Sequence, residues 1–318
     1  MKYKLKVYSI MEYGQRKDSS GMPHQEDCIY PEYGKESDTD RLFILCDGMG
    51  GHDAGEVASA TVCDAMSQAI LEDGNGSDER FSSELFDKAV DSAFKALDSK
   101  DNGAEKKMGT TMTLVKLHDG GAFMAHMGDS RIYHIRPGAK GVNTKIMYES
   151  SDHSLVNDLI KVGELTRQEA RNSRQKNVIT RAMQPNLDNR PKSEIHKTSD
   201  IRPGDYIYMC SDGMLEQADM EDGTSIRNIF SKAGGSDEDK IKILRKVTEN
   251  NQDNHSAIII HITDVLDEKK DDHEEESVDS LKTSKTRNES ASGKSIVIRI
   301  LMIVALLMAV ILALIIFI

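Results

Sequence analysis

The chain has 318 residues, 38% hydrophobic and 30% charged, with a formal net charge of −12. That length and balance fit one large soluble domain or two small ones, and the acidic excess argues against nucleic acid as a main partner, because phosphate backbones require a basic face. The four cysteines, Cys28, Cys46, Cys63 and Cys210, form no C-x-x-C pair, which disfavours a zinc cluster and fits reduced, mostly buried thiols in the cytosol.

The N-terminal MKYKLKVYSI lacks a signal-peptide apolar core, and Lys2–Ile10 alternates like a strand. Met11–Gln25 is polar, with Gly14, Gly21 and Pro23, and reads as a loop. Glu26 and Asp27 stand before a short strand start, Cys28–Tyr30. Adjacent acids there are solvated unless other carboxylates converge on them. Leu42–Cys46 is an apolar run with Asp47 at its end, followed by Gly48, Gly50 and Gly51. A carboxylate on a strand end, in a turn open enough for backbone carbonyls to approach a ligand, suits a metal ion. A tight strand-to-helix turn with a solvated Asp is the equally simple alternative.

Val57, Ala58, Thr61, Val62, Ala65, Met66, Ala69 and Ile70 recur at helical spacing, as do Phe81, Leu85, Ala89, Ala93 and Leu97. Strands are predicted over Thr110–His118, Ala122–Met127 and Arg131–Arg136, with a hairpin turn at Asp119–Gly121 and a second exposed acid on the turn Gly128-Asp129-Ser130. Another strand is expected at Lys145–Tyr148. Asp152–Met183 is polar and partly helical, either a flap over a site or an ordinary solvated insertion. Tyr206–Cys210 then repeats the device of apolar strand, Asp and Gly, through Ser211-Asp212-Gly213. A late helix carries Ile241, Leu244 and Val247, and Asp253-Asn254 precede a last strand, Ala257–Thr263. Asp47, Asp129, Asp212 and Asp253 thus share one context, a strand end or turn next to an apolar strand. If they converge, hard oxygen ligands of this kind select Mg²⁺ or Mn²⁺ over zinc.

These motifs, in order, resemble the metal-dependent type 2C (PPM) serine/threonine protein phosphatases, especially the bacterial branch. The matching residues are Glu26-Asp27, Asp47-Gly48-Met49-Gly50-Gly51, Gly109-Thr110-Thr111, Gly128-Asp129-Ser130-Arg131, Asp152-His153-Ser154-Leu155, Asn177 to Ala182, Ser211-Asp212-Gly213 and Asp253-Asn254. The resemblance covers residues 1–264 and implies an α+β fold, a central antiparallel β-sandwich flanked by helices in four layers (αββα). It implies two Mn²⁺ or Mg²⁺ ions as cofactors. Asp47 would bridge them and the Gly48 carbonyl would bind one. Asp212 and Asp253 would hold the other, making Asp47, Asp212 and Asp253 the catalytic set. Asp129 would add a third site, Glu26 and Asp27 would act through metal-bound waters, and Asp152–Met183 would be the flap. The implied chemistry is direct attack of a metal-bridging hydroxide on phosphoserine or phosphothreonine proteins, with no phosphoenzyme.

The chain departs from the family pattern at Met22, where the resemblance leads one to expect a phosphate-gripping arginine; Arg16 or Lys17 would have to reach that place. His255 stands where an apolar residue is usual, a minor change. His52 reads first as a turn residue, being offset from the histidine of eukaryotic relatives. Met22 also motivates a rival reading, a pseudophosphatase that binds phosphoproteins from a membrane anchor without turning them over. Retention of Asp47, Asp212 and Asp253 favours the enzyme.

Residues 265–295 are charged and almost devoid of apolar side chains, as expected of a disordered linker. Residues 296–318 then form a C-terminal anchor: Ile300–Ile318 has no charge and no Gly, and as a helix its 19 residues would span roughly 28 Å. Lys282, Lys285, Arg287, Lys294 and Arg299 precede it, which predicts a single-pass tail anchor in the cell membrane with the catalytic domain cytoplasmic. The expected partners are phosphoproteins made by a membrane-bound serine/threonine kinase.

Overall fold

The computed structural model describes residues 2–15, 17, 20–50, 54–72, 81–101, 103, 107–138, 143–217, 220 and 222–266, which lie within one compact unit, Met1–Lys269. The strands β1 (Lys2–Glu12), β2 (Asp27–Tyr30) and β3 (Leu42–Met49) come first, then the helices α1 (Ala54–Glu72) and α2 (Ser83–Lys100). Next come β4 (Gly109–Thr110), β5 (Met112–His118), β6 (Gly121–Met127), β7 (Arg131–Arg136) and β8 (Lys145–Glu149). The polar insert holds the short helices α3 (Leu155–Lys161) and α4 (Arg167–Arg171). After β9 (Glu194–Thr198) and β10 (Tyr206–Cys210), α5 (Thr224–Ile229) and α6 (Asp237–Thr248) lead to β11 (His255–Leu266).

All strand pairs are antiparallel, in two sheets. One runs β1-β11-β10-β7-β8 and the other β2-β3-β5-β6-β9, with β4 added on β3. Successive strand residues point to opposite faces. In β3, Phe43 and Leu45 enter the core between the sheets, while Leu42, Ile44 and Cys46 enter the core under α1 and α2. In β10, Ile207 and Met209 face the inter-sheet core, while Tyr206, Tyr208 and Cys210 pack with residues of α5 and α6. A strand covered on both faces needs an apolar residue at nearly every position, which accounts for the unbroken runs at Leu42–Cys46, Tyr206–Cys210 and Ala257–Ile260. The layers are helix, sheet, sheet, helix, as the resemblance implies.

Three sequence expectations are corrected. The strand expected over Thr110–His118 breaks at Thr111. Gly109 and Thr110 pair with the end of β3 at Met49 and Gly48, while β5 pairs with its start, so Thr111 is left to bond Asp47. Glu194–Thr198 forms an unexpected edge strand on β6. The last strand begins earlier and ends later than expected, because β1 pairs along it from Glu12 opposite His255 to Lys2 opposite Leu266. Among the described residues no helix is long and apolar enough to cross a membrane. The expected linker from residue 267 onward and the apolar run Ile300–Ile318 lie outside the described residues.

Candidate active site

Register places Asp27 on β2 opposite Asp47 on β3, so both carboxylates leave the same face of the sheet. Asp212 opens a single 3₁₀ turn, Asp212–Leu215, directly after β10. Asp253 stands two residues before β11, and Asp129 lies in the turn between β6 and β7. These ends converge. Asp27 feels the charges of Asp212 and Asp253; Asp47 feels Asp27, Asp212, Asp129 and Asp253; Asp129 feels Asp212 and Asp152. All the acids singled out at strand ends thus meet at one edge of the sandwich.

Asp129 is not the exposed turn residue that its context suggests; only 9% of it is exposed. The chain after β8 folds over the turn: the His153 N–H donates to the Gly128 carbonyl at 2.9 Å, and the Gly128 N–H donates to His153 Nδ1 at 3.1 Å. The turn is also tied inward by Thr111 and Ser130, whose hydroxyls meet at 2.8 Å. Asp152 is engaged by Arg131, which donates from Nε at 2.6 Å and from Nη2 at 2.7 Å.

Burial and mutual repulsion dominate the electrostatics. Burial pushes the Asp27 carboxyl up to about 7; the nearby Ser256 hydroxyl and the hydrogen bond from Ser211 oppose this, and the charges of Asp212 and Asp253 add to it. Asp47 is raised well above the carboxylate range by burial, then by Asp27 and Asp212. Asp129 is raised by burial and by Asp212. Such clustered acids are costly as bare charges.

The backbone around them is clamped. The Glu26 carbonyl accepts from the Gly48 N–H at 3.1 Å and from Ser59 Oγ at 2.5 Å, and the Glu26 N–H donates to Asn254 Oδ1 at 2.8 Å. Asn254 Nδ2 donates to the carbonyls of Tyr13 and His24, both at 2.8 Å. The Asp47 N–H donates to Thr111 Oγ1 at 2.9 Å. Ser211 Oγ donates to Asp27 Oδ2 at 3.0 Å, and the Asp253 N–H donates to Glu216 Oε1 at 2.8 Å. No side chain fits at Gly48, where a Cβ would lie 2.2 Å from the Gly55 carbonyl oxygen, or at Gly213, where it would lie 2.0 Å from that of Asn254. Sequence reasoning missed Ser59 and Glu216, and named Ser211 within a motif without giving it a role. They act on backbone groups or on another side chain's orientation, and no spacing marks that role.

The substrate-binding expectations fare differently. Arg16 and His52 lie outside the described residues. Lys17 is exposed, forms a β-bridge with Pro23 and has no ion pair to the clustered acids among the described residues. Met22 is 62% exposed on the same loop. His24 stands nearer the acids, with Nε2 3.8 Å from Glu26 Oε1 and 3.8 Å from Glu56 Oε2. His255 is buried and donates from Nδ1 to the Asp253 carbonyl at 3.1 Å.

The residues present fit divalent cations. Asp27 Oδ1 is buried with no hydrogen-bond partner, the donors are hard oxygens, and positive charge would relieve the repulsion that raises their proton affinity. A second group, His126, His153 and Glu194, brings possible ligand atoms within 4.8 Å of one another. The two imidazoles stack at 4.6 Å. Because His153 Nδ1 accepts from Gly128, its proton lies on Nε2, facing Glu194 at 3.7 Å and the Arg181 guanidinium at 3.4 Å. With Nε2 protonated and Nδ1 taken by the Gly128 N–H, His153 has no lone pair left for a cation, and its approach to the Arg181 guanidinium is a contact between two donors, not a hydrogen bond.

Comparisons with known proteins agree with this geometry. The family model described as protein phosphatase 2C matches residues 13–276. The protein phosphatase PhpP of Streptococcus pneumoniae is 34% identical over 194 residues, covering 60% of this chain and 72% of its own length. A solved serine/threonine phosphatase of S. agalactiae is 25% identical, with a TM-score of 0.62 and coverage of 81% of this chain and 99% of that one. The catalytic domain of the phosphatase PstP, solved with two manganese ions, shares the fold at 24% identity and a TM-score of 0.61, covering 82% and 99%. The chain is a protein phosphatase and belongs to the protein phosphatase 2C family.

Proposed function

We propose that this chain is a serine/threonine phosphoprotein phosphatase whose clustered acids hold two Mn²⁺ or Mg²⁺ ions, with a third at Asp129. The observation that carries the reading is the convergence of Asp27, Asp47, Asp129, Asp212 and Asp253, with proton affinities raised at Asp27, Asp47 and Asp129 by burial and by one another. In this reading Asp47 and the Gly48 carbonyl, with Asp212 and Asp253, bind the ions directly, and Glu26 and Asp27 act through water. When bound, the ions supply Lewis-acid charge and an activated water for attack on phosphorus. The chain's own task is placement: Ser211 orients Asp27, Thr111 holds the Asp47 backbone, and Asn254 fixes the loop carrying Glu26. Ligand geometry fixed in this way keeps carboxylates from collapsing onto solvent or each other.

The tether belongs to the same proposal. Ile300–Ile318 holds the catalytic domain at a membrane, beside phosphoproteins made by a membrane-bound kinase; its support is the uncharged, glycine-free run itself.

The deciding experiment is phosphate release from a phosphothreonine peptide by the full-length chain, with Mn²⁺ and with EDTA, beside Asp212→Asn. Expected are turnover with Mn²⁺, none with EDTA, and a loss of about a hundredfold or more in the variant, since even outer partners of metal ligands cost 10–100-fold. Bound Mn²⁺ without turnover would leave a phosphoprotein-binding module in place of an enzyme.

A further inference from the structure

The insert between β8 and β9 reverses the charge of the molecule. From Arg171 to Arg181 it carries four basic residues and no acid, in a chain of net charge −12. Its two ends are fastened to the rim of the acid cluster. At one end the His153 N–H binds the Gly128 carbonyl beside Asp129, and the Thr180 N–H binds the His153 carbonyl at 2.8 Å. At the other, Met183 bridges Thr110, whose own strand pairs with Gly48. The basic stretch is therefore held next to the site by backbone hydrogen bonds.

Most of its cations are uncommitted. Arg171 is 3.6 Å from Asp222, and Lys161 is 3.9 Å from Asp158. Arg167, Arg174, Lys176 and Arg181 are exposed and make no salt bridge among the described residues. Among the described residues Arg181 comes within 3.4 Å of the His153 ring. Exposed cations left without acids beside an anion-handling site give it a local positive field that the rest of the surface opposes.

We propose that this insert docks the acidic flank of a phosphoprotein substrate, selecting phosphoserine or phosphothreonine sites followed or preceded by Asp and Glu. The inference rests on the phosphatase reading of the acid cluster and adds a substrate class to it. Each exposed pair contributes little alone. Several together beside the site favour the acidic partner and speed its encounter at low salt.

The test uses the full-length chain with Mn²⁺ and three phosphothreonine peptides of one core sequence, flanked by acidic, neutral or basic residues. p-Nitrophenyl phosphate serves as a substrate too small to reach the insert. The acidic peptide should exceed the neutral one in kcat/KM by about five- to tenfold at low salt, from two or three exposed pairs. That preference should disappear in Arg174→Gln/Lys176→Gln with p-nitrophenyl phosphate turnover unchanged. In Arg174→Glu/Lys176→Glu it should swing toward the basic peptide. Equal kcat/KM for acidic and neutral peptides, or a preference that survives both variants, overturns the proposal. Absence of turnover by the unsubstituted chain, small substrate included, would count against the phosphatase reading instead. Fluorescence anisotropy of the same peptides then decides docking: tighter binding of the acidic peptide sustains it and equal binding refutes it.

Discussion

Asp27 shows what the cluster asks of a single residue. Its carboxyl is lifted to about 7, first by burial, so without a cation the fold gains from protonation below that value. The gain is lost as pH rises through 7, and there a divalent cation takes the proton's place. Mn²⁺ affinity should therefore fall by about tenfold for each proton displaced as pH drops from 8 to 6. Calorimetry of the full-length chain in buffers of different ionisation enthalpy should register proton release at pH 6. A pH-independent affinity with no proton release would mean that the acids are not held as charged neighbours. The acids themselves were legible because each stands just before or just after an apolar run. Asn254 was legible only as half of a dipeptide; that its amide joins Tyr13, His24 and Glu26 depends on a contact across 228 residues or more.

Among the elements, α6 shows how a helix is seated on the outer sheet. Ser236 caps it in a reciprocal box with Asp239. Asp237, the first residue of the helix, reaches down to the sheet. It accepts from Tyr206 Oη at 2.6 Å and from His261 Nδ1 at 2.9 Å. Burial pushes its carboxyl up, but the bonds from His261 and Tyr206 prevail and hold it at about 2. A carboxyl lowered in the fold stabilises it above the ordinary aspartate range, and that contribution fades as pH falls toward 2. Asp237→Asn should cost about 1–3 kcal/mol at pH 7, read by urea denaturation, with the gap to wild type narrowing at pH 3. An equal gap at both values would rule out the ionised carboxyl as the cause. The helix was visible as a periodic stripe and its anchor was not, since His261 and Tyr206 lie on strands placed beside it only by folding. β9 was missed for a related reason: its sequence, EIHKT, has no apolar pattern, and its strand state comes from the free edge of β6.

At the scale of the whole molecule, the catalytic unit and the proposed tether make opposite demands. The unit is acidic and soluble in composition, whereas the 19 residues from Ile300 carry no charge. The full-length chain should sediment with membranes and resist alkaline carbonate extraction, whereas a chain ending at Leu266 should stay in the supernatant. Recovery of the full-length chain in the soluble fraction would remove the tether, and with it the argument for a membrane-bound partner kinase.

The sequence by itself determined which segments are apolar, where they end, and that carboxylates with small neighbours stand at those ends. Those features follow from local chemistry: period-2 alternation, helical stripes and glycines where a side chain has no room. Only the tertiary structure decided that Asp129 is buried, that Thr111 breaks a strand to hold Asp47, and that Ser59 and Ser211 serve the site. Those outcomes depend on which sheet edge meets which loop, a property of pairing between distant residues that no local pattern encodes.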